Sequence, residues 1–396
     1  MKLYLKECKK IAGSIVYYLF VAILVLGWFQ NFRGVTQKEI NWAKGSAPAD
    51  IGFERPLLSE PCKDDAYFGM KLSEDAPEAI MTGVTRALLS EYQDNSYATY
   101  PLGYYKAITL SEDEQRQVLE ILCEITGLTE AELKDLPEDY FPAVTGTIIS
   151  FDAMDVDKDG NLNMEMGSSS DPESQDDKYS HFVSQVTYEH FKELMQKMES
   201  IIGEKGSQYS KEMMITYFGM SEMTYEEALA EYEQTINQDK VTGGFARLFC
   251  DYMGLELGLY PVFLIVIIWM KDRMSNATEL IYGKSVSSMK LVLSRYLAGI
   301  TMVFIPVLLL SLESLIPLIA FGAENGIPID YFAYIKYILW WLLPEVMVVC
   351  GVGMFVTLLT DSPIAIIFGF LWWMLDKGAT GLSGDTKLTT LMIRHN

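Results

Sequence analysis

Three carboxylates at alternate positions before a glycine, in Asp155-Val156-Asp157-Lys158-Asp159-Gly160-Asn161-Leu162, have the oxygen-donor spacing of a calcium loop. A hard cation would take its ligands from Asp155, Asp157 and Asp159, with Gly160 supplying the sharp turn. The match then fails. The twelfth position, where a bidentate Glu belongs, is Met166, and Glu165 stands one residue early. Residues 144–151 read as extended chain rather than as the helix such a loop follows. An Asp-Gly turn between extended segments needs no metal, and that is the preferred reading. No other metal is expected, since His181 and His190, with Glu189, fit no zinc spacing.

Thr278-Glu279-Leu280-Ile281-Tyr282-Gly283-Lys284-Ser285 ends like a phosphate-binding loop. Thr278 stands where the leading glycine must let the backbone wrap a phosphate. The chain is therefore expected to bind no cofactor and to catalyse nothing. Any ATP with its Mg must be held by a partner. Glu256, Glu313 and Glu345 interrupt otherwise apolar runs, and a carboxylate there is costly unless it meets water, protein or a cation. They either sit at headgroup level and pair with Arg247 or Lys336, or line an outward-opening vestibule.

The elements that must position these groups are long apolar runs. The first, from Ile11 to Phe29, has nineteen uncharged residues, about the span of a ~30 Å hydrocarbon layer at ~1.5 Å per residue. Further runs cover residues 257–270 continuing upstream through 249–254 with interruptions at Asp251 and Glu256, then 296–312 continuing to 323, 337–360 and 362–375, the last only fourteen long. Five spans are thus expected. Residues 31–244 hold 41 acidic and 17 basic side chains, a net −24 against −22 for the whole chain. Residues 1–10 and 271–295 are basic, whereas the loop 321–335 carries only Glu324 and Asp330 as formal charges. Basic segments inside and acidic segments outside place the N-terminus in the cytoplasm and 31–244 beyond the membrane. Such acidity argues against nucleic-acid binding.

The expected organisation is mainly α: a polytopic helical bundle with a large, mostly helical extracytoplasmic domain between spans 1 and 2. Residues 1–10 form an amphipathic interfacial helix, 11–30 the first span, and 31–244 the external domain. Residues 245–396 carry the remaining spans, an inner segment 271–295 and an external tail 376–396. Within the domain, Ser111 to Glu114 opens a helix closed by Gly127, and Thr129 opens a short one. Thr187 opens another that Gly203 stops, and Thr224 starts a fourth. Cys62 and Cys123 are the two cysteines expected outside, and nothing in their spacing requires a disulfide.

A simple connection needs only a few residues, so 271–295 is long enough to offer a surface to another protein. Its run from Ala277 through Glu279-Leu280-Ile281-Tyr282-Gly283-Lys284-Ser285-Val286-Ser287-Ser288, then Lys290-Leu291-Val292-Leu293-Ser294-Arg295-Tyr296, resembles the link between the second and third helices of ABC-2-type exporter permeases. The order of parts is similar too, and residues 239–254 resemble a bacterial branch of that family. The likeness is firm over 239–375 and weak in the external domain. It implies a permease subunit in the bacterial plasma membrane, paired with a second copy or a paralogue and surrounded by membrane lipid. An ATPase subunit would dock at Met274, Glu279, Leu280, Ile281 and Tyr282. The resemblance also implies six spans; the sixth is expected where this sequence stops, which points to a truncated product. A non-transporting membrane protein whose external domain binds a ligand or a cell-envelope component is the alternative.

Overall fold

The computed structural model describes residues 2–33, 60–65, 67–100, 105–136, 140–141, 154–156, 162–164, 182–203, 207–276, 283 and 287–379. Helix α1 (Lys2–Ala12) ends at Gly13 and Ser14, and α2 (Ile15–Trp28) leaves at 70° to it before a wider final turn, Phe29–Arg33. Along α2, Tyr17, Phe20, Leu24 and Trp28 recur at helical spacing and are buried, yet Ile15, Tyr18, Leu19 and Leu26 on the other side are exposed. A helix apolar on both faces does not match water on its free side.

In the acidic region, β1 (Met70–Leu72) precedes α3 (Pro77–Asp94), β2 (Tyr97–Thr99), β3 (Lys106–Ile108), α4 (Glu112–Thr126) and α5 (Glu130–Lys134). A short hairpin of β4 (Met154–Val156) and β5 (Leu162–Met164) follows, then α6 (Tyr188–Ile202), α7 (Lys211–Phe218), β6 (Met220–Glu222) and α8 (Tyr225–Glu233). The expected caps form. Ser111 accepts from the Glu114 N–H while the Glu114 carboxylate accepts from Ser111, and Gly127 and Gly203 close α4 and α6 in the left-handed conformation. Helix α3 has no such opening signature. Pro77 starts it, and Asn95 at φ 45° ends it. The Asn95 amide also bridges to Leu110, accepting from its N–H at 2.9 Å and donating to its carbonyl at 3.1 Å.

Ile80, Val84 and Leu88 of α3 pack with Val118, Ile121, Leu122 and Ile125 of α4 and with Phe191, Met195 and Met198 of α6. Strand β1 pairs antiparallel with β6, Met70 opposite Glu222, so the chain enters and leaves this core at neighbouring points. A unit with adjacent ends can be inserted between two helices without disturbing either. Lys71 next to this pairing holds Glu227 at 2.6 Å.

The remaining helices are α9 (Thr242–Leu257), α10 (Tyr260–Met274), α11 (Ser288–Asn325), α12 (Ala333–Tyr337), α13 (Leu343–Thr360) and α14 (Ala365–Ala379). The 38-residue α11 and the 28-residue stretch Ala333–Thr360 are each long and apolar enough to cross a membrane. The pairs α1–α2 and α9–α10, the latter bent by 43°, pass the same test as bent units, so the described residues hold two to four helices that could span a membrane. The run expected at 257–270 with its upstream extension 249–254 is thus a bent pair of helices that starts at Thr242. The break falls at Gly258 and Leu259, just before Pro261, which has no N–H to continue the ladder. Helix α14, at 15 residues, is apolar but shorter than the candidate spans. Outward-facing Leu309, Leu312, Ile316, Phe355, Leu359, Ile367 and Phe368 extend the apolar exterior begun on α2.

One carboxyl in the domain core gives a pH test. Glu91 is largely desolvated, which raises its pKa above the ordinary carboxylate range despite hydrogen bonds from Tyr209 Oη and, at 2.8 Å, the Ala98 N–H. A folded-state pKa that is raised stabilises below the unfolded value of about 4.3 and loses that contribution as pH rises through the folded value. In detergent-solubilised full-length protein, wild type should therefore lose melting temperature relative to Glu91→Gln as pH rises from about 4.3. Parallel pH profiles for the two proteins would show that Glu91 is not desolvated.

Candidate functional site

Four charged side chains from three helices meet where α10 stops and α11 begins. Glu7 and Lys10 come from one face of α1, since residues three apart are helical neighbours. Asp272 comes from the last turn of α10 and Arg295 from the third turn of α11. Lys10 Nζ lies 2.5 Å from Asp272 Oδ1, and the Arg295 guanidinium bonds the other oxygen of the same carboxylate. Glu7 Oε2 stands 3.6 Å from Arg295 Nε, an ion pair longer than a hydrogen bond. The Trp269 ring lies 4.8 Å from the Arg295 guanidinium carbon and covers it. Only 4% of Arg295, 7% of Glu7 and 9% of Asp272 is exposed.

Two acids and two bases make the group neutral, which is what permits its burial. Desolvating each ion costs several kcal/mol, so such a cluster adds little net stability. What it confers is register. Rolling or sliding α1 would leave a buried charge without its partner. Tyr4 extends the contact along the same face, its hydroxyl donating to Thr301 Oγ1 at 2.8 Å. Arg273, next to Asp272, pairs at 2.8 Å with Asp361 at the end of α13, so a fourth helix is tied to the same end of the bundle.

Met274, two residues beyond Asp272, is 80% exposed at the tip of α10. Glu279, Leu280, Ile281 and Tyr282 lie outside the described residues. The segment expected to dock a partner is nevertheless framed by the cluster: Asp272 sits on the stem leading in, Arg295 on the stem leading out. Both stems are bound to α1.

The three carboxylates of the apolar runs have different surroundings. Glu313 is half exposed, 3.9 Å from Arg33. Glu256 occupies space left by Gly27 of α2, where an added Cβ would lie 1.4 Å from its Oε1. Glu345 is buried against α9, 3.2 Å from the position a Cβ on Gly254 would take. Arg247 and Lys336, the cations expected to pair with these groups, hold other acids. Arg247 grips Asp239 through two 2.7 Å bonds, which keeps that carboxyl below its usual range, and Lys336 holds Asp330 at 2.6 Å. Asp239 and Asp330 precede their partners by eight and six residues, so local geometry wins over reach across the bundle.

Asp155 lies on β4 opposite Asn163 of β5, so strands flank this turn on both sides; Asp157 and Asp159 lie outside the described residues. Among the described residues no three metal-ligating side chains are gathered. His190 is exposed between Glu124 at 2.7 Å and Glu193 at 3.0 Å, and both hydrogen bonds raise its pKa. Cys62 and Cys123 are free thiols. A hollow of about 290 Å³ lies between α3 and α4, lined by Tyr92, Asn95, Gln115, Arg116 and Glu130 among others. Comparison with protein-family models, curated proteins and solved structures finds no match to this chain.

In the sequence Glu7 and Lys10 belong to a basic amphipathic segment and Asp272 and Arg295 to the family-like run, and nothing there pairs them. One signal was available. Glu7 is the single acid in a basic segment and shares a helical face with Tyr4 and Ile11. Replacing Arg295 by Ala leaves Glu7 and Asp272 buried with only Lys10 between them. A loss of about 3–5 kcal/mol is expected, the cost of breaking a buried pair from one side. Glu7→Gln should cost less, because its contact is the longer one. Thermal unfolding of the full chain in detergent measures both, and an unchanged Arg295→Ala protein would mean that these charges are solvated.

Proposed function

We propose that this chain is the permease subunit of an ABC-2-type exporter, coupling ATP hydrolysis on a separate subunit to movement of a substrate across a bacterial plasma membrane. The observation that carries the reading is the framing of 274–288 by Asp272 and Arg295, both locked to α1. The likeness of residues 272–298 to the family's helix connection points to the same segment. An ATPase docked there would move both stems. Because separating Arg295 from Asp272 or Glu7 exposes uncompensated buried charge, α1 must travel with α10 and α11 as one body. The subunit itself needs no nucleotide, metal or catalytic residue, and a second copy or a paralogue would complete the pathway.

In this reading the acidic region 31–244 is outside and the N-terminus is cytoplasmic. The apolar exterior of the helices supports placement in lipid, and the excess of lysine and arginine at the α1 end supports the orientation. Cysteines introduced at Ser170 should react with impermeant thiol reagents on intact cells, whereas those at Ser275 should react only after lysis. Labelling of position 275 from outside would reverse the arrangement and sink the exporter reading.

Docking itself rests on a few apolar anchors, here Leu280, Ile281 and Tyr282, with Glu279 giving orientation from the rim. Truncating Leu280 and Tyr282 together to Ala should release a co-purifying ATPase without preventing membrane insertion. Glu279→Gln should weaken the complex only modestly. Co-purification from membranes, followed by ATPase assay of the eluate, reads this out. A wild-type chain that brings down no ATPase favours the ligand-binding alternative, for which the hollow at Tyr92 and Arg116 is the place to look.

A further inference from the structure

We infer that the outward face of α1 is a docking surface for the headgroups of anionic phospholipids. Lys2, Leu5, Lys6 and Lys9 fall at helical spacing on one face, and all four are exposed. The opposite face, with Glu7 and Ile11, is buried in the bundle. Glu7 is the helix's single acid, and Arg295 holds it inside. Lys10 also turns inward, to Asp272, while Lys2, Lys6 and Lys9 make no ion pair among the described residues. The buried cluster thus strips the free face of negative charge and prevents the helix from rolling the lysines away.

Position identifies the occupant. The basic face ends at Gly13, and the exposed apolar side of α2 begins directly after it with Ile15, which is 76% exposed, and continues through Tyr18 and Leu19. The two helices meet at 70°, so the lysines directly precede that apolar belt on a helix inclined to it; with α2 standing in lipid, such a segment meets the headgroup phosphates. Leu5, 55% exposed among the lysines, suits an interface where apolar stems enter the lipid and ammonium groups reach its phosphates. Outside residues 31–244 the chain holds 12 acidic and 14 basic side chains, a net +2, so little at this end of the protein repels an anionic headgroup. This inference rests on the helices standing in a membrane but not on the exporter reading.

Full-length protein in neutral detergent is titrated with phosphatidylglycerol or phosphatidylcholine, and bound lipid is counted by native mass spectrometry. Wild type should retain phosphatidylglycerol preferentially, and raised salt should erode that preference. The triple variant Lys2→Gln/Lys6→Gln/Lys9→Gln should lose the preference by at least about tenfold, given three basic groups near an anionic surface. Its phosphatidylcholine binding and neutral-detergent melting temperature should match wild type. Equal retention of both lipids by wild type, or an undiminished preference in the triple variant, overturns the inference. So does a patch that binds soluble polyglutamate and not phosphatidylglycerol, which would make it a site for acidic protein. A chain that stays monodisperse without detergent would instead overturn the membrane reading beneath it.

Discussion

The buried contact of Arg295 with Asp272 and Glu7 is the constraint on which the α1 end of this bundle depends. Each of these charges could have remained in water at little cost. Once α1 packs on α11, they are buried, and each is tolerable only while the others stay in place. Helix α1, distant in sequence, therefore has one permitted arrangement against the consecutive helices α10 and α11 at this end. Trp269 closes the group from the side. The cluster also turns a flexible N-terminal segment into a fixed surface, with its charge sorted into an inward neutral set and an outward basic set.

The opposite end of the bundle is organised differently. Its ion pairs, Arg247 with Asp239 and Lys336 with Asp330, are local and more exposed, and they fasten the approaches to α9 and α12. Exposed pairs of this sort are worth little individually. The carboxylates nearer the helix interior are instead accommodated by glycine. Gly27 and Gly254 leave room for Glu256 and Glu345 at helix crossings, and the break at Gly258 lies beside Glu345. The two ends thus differ in kind, with buried interhelical charges at one and a bent, glycine-lined crossing toward the other.

The acidic domain is joined to this bundle by a topological device. The β1–β6 pairing sets Lys71 opposite Ser221, 150 positions away, so the domain closes on itself. Its three principal helices supply a core of their own. Folding of the domain then makes few demands on the helices that flank it, which is the condition for a large insertion to be tolerated there.

Much of this was legible from the chain alone. Apolar runs announce α2, α11 and α13, because a helix in lipid must satisfy its backbone internally and needs about 20 apolar residues. Ser111, Thr187 and Thr224 announce the starts of α4, α6 and α8, because capping is a local matter of a side chain three residues from an N–H. Helix α3 was missed because Pro77 and Asn95 are weaker punctuation than a capping box. The bend at Gly258 was not legible from the apolar run, whose interruptions at Asp251 and Glu256 precede the break. Neither was the partner choice of Arg247, Lys336 or Arg295. A charge in a sequence has a sign but no neighbour, and the hydrophobic pattern that selects helices says nothing about which face meets which helix. Local hydrogen bonding and hydrophobicity were therefore determined by the sequence itself. The pairing of Glu7 and Lys10 with residues some 260 to 290 positions away was decided only by the tertiary packing that buried them together.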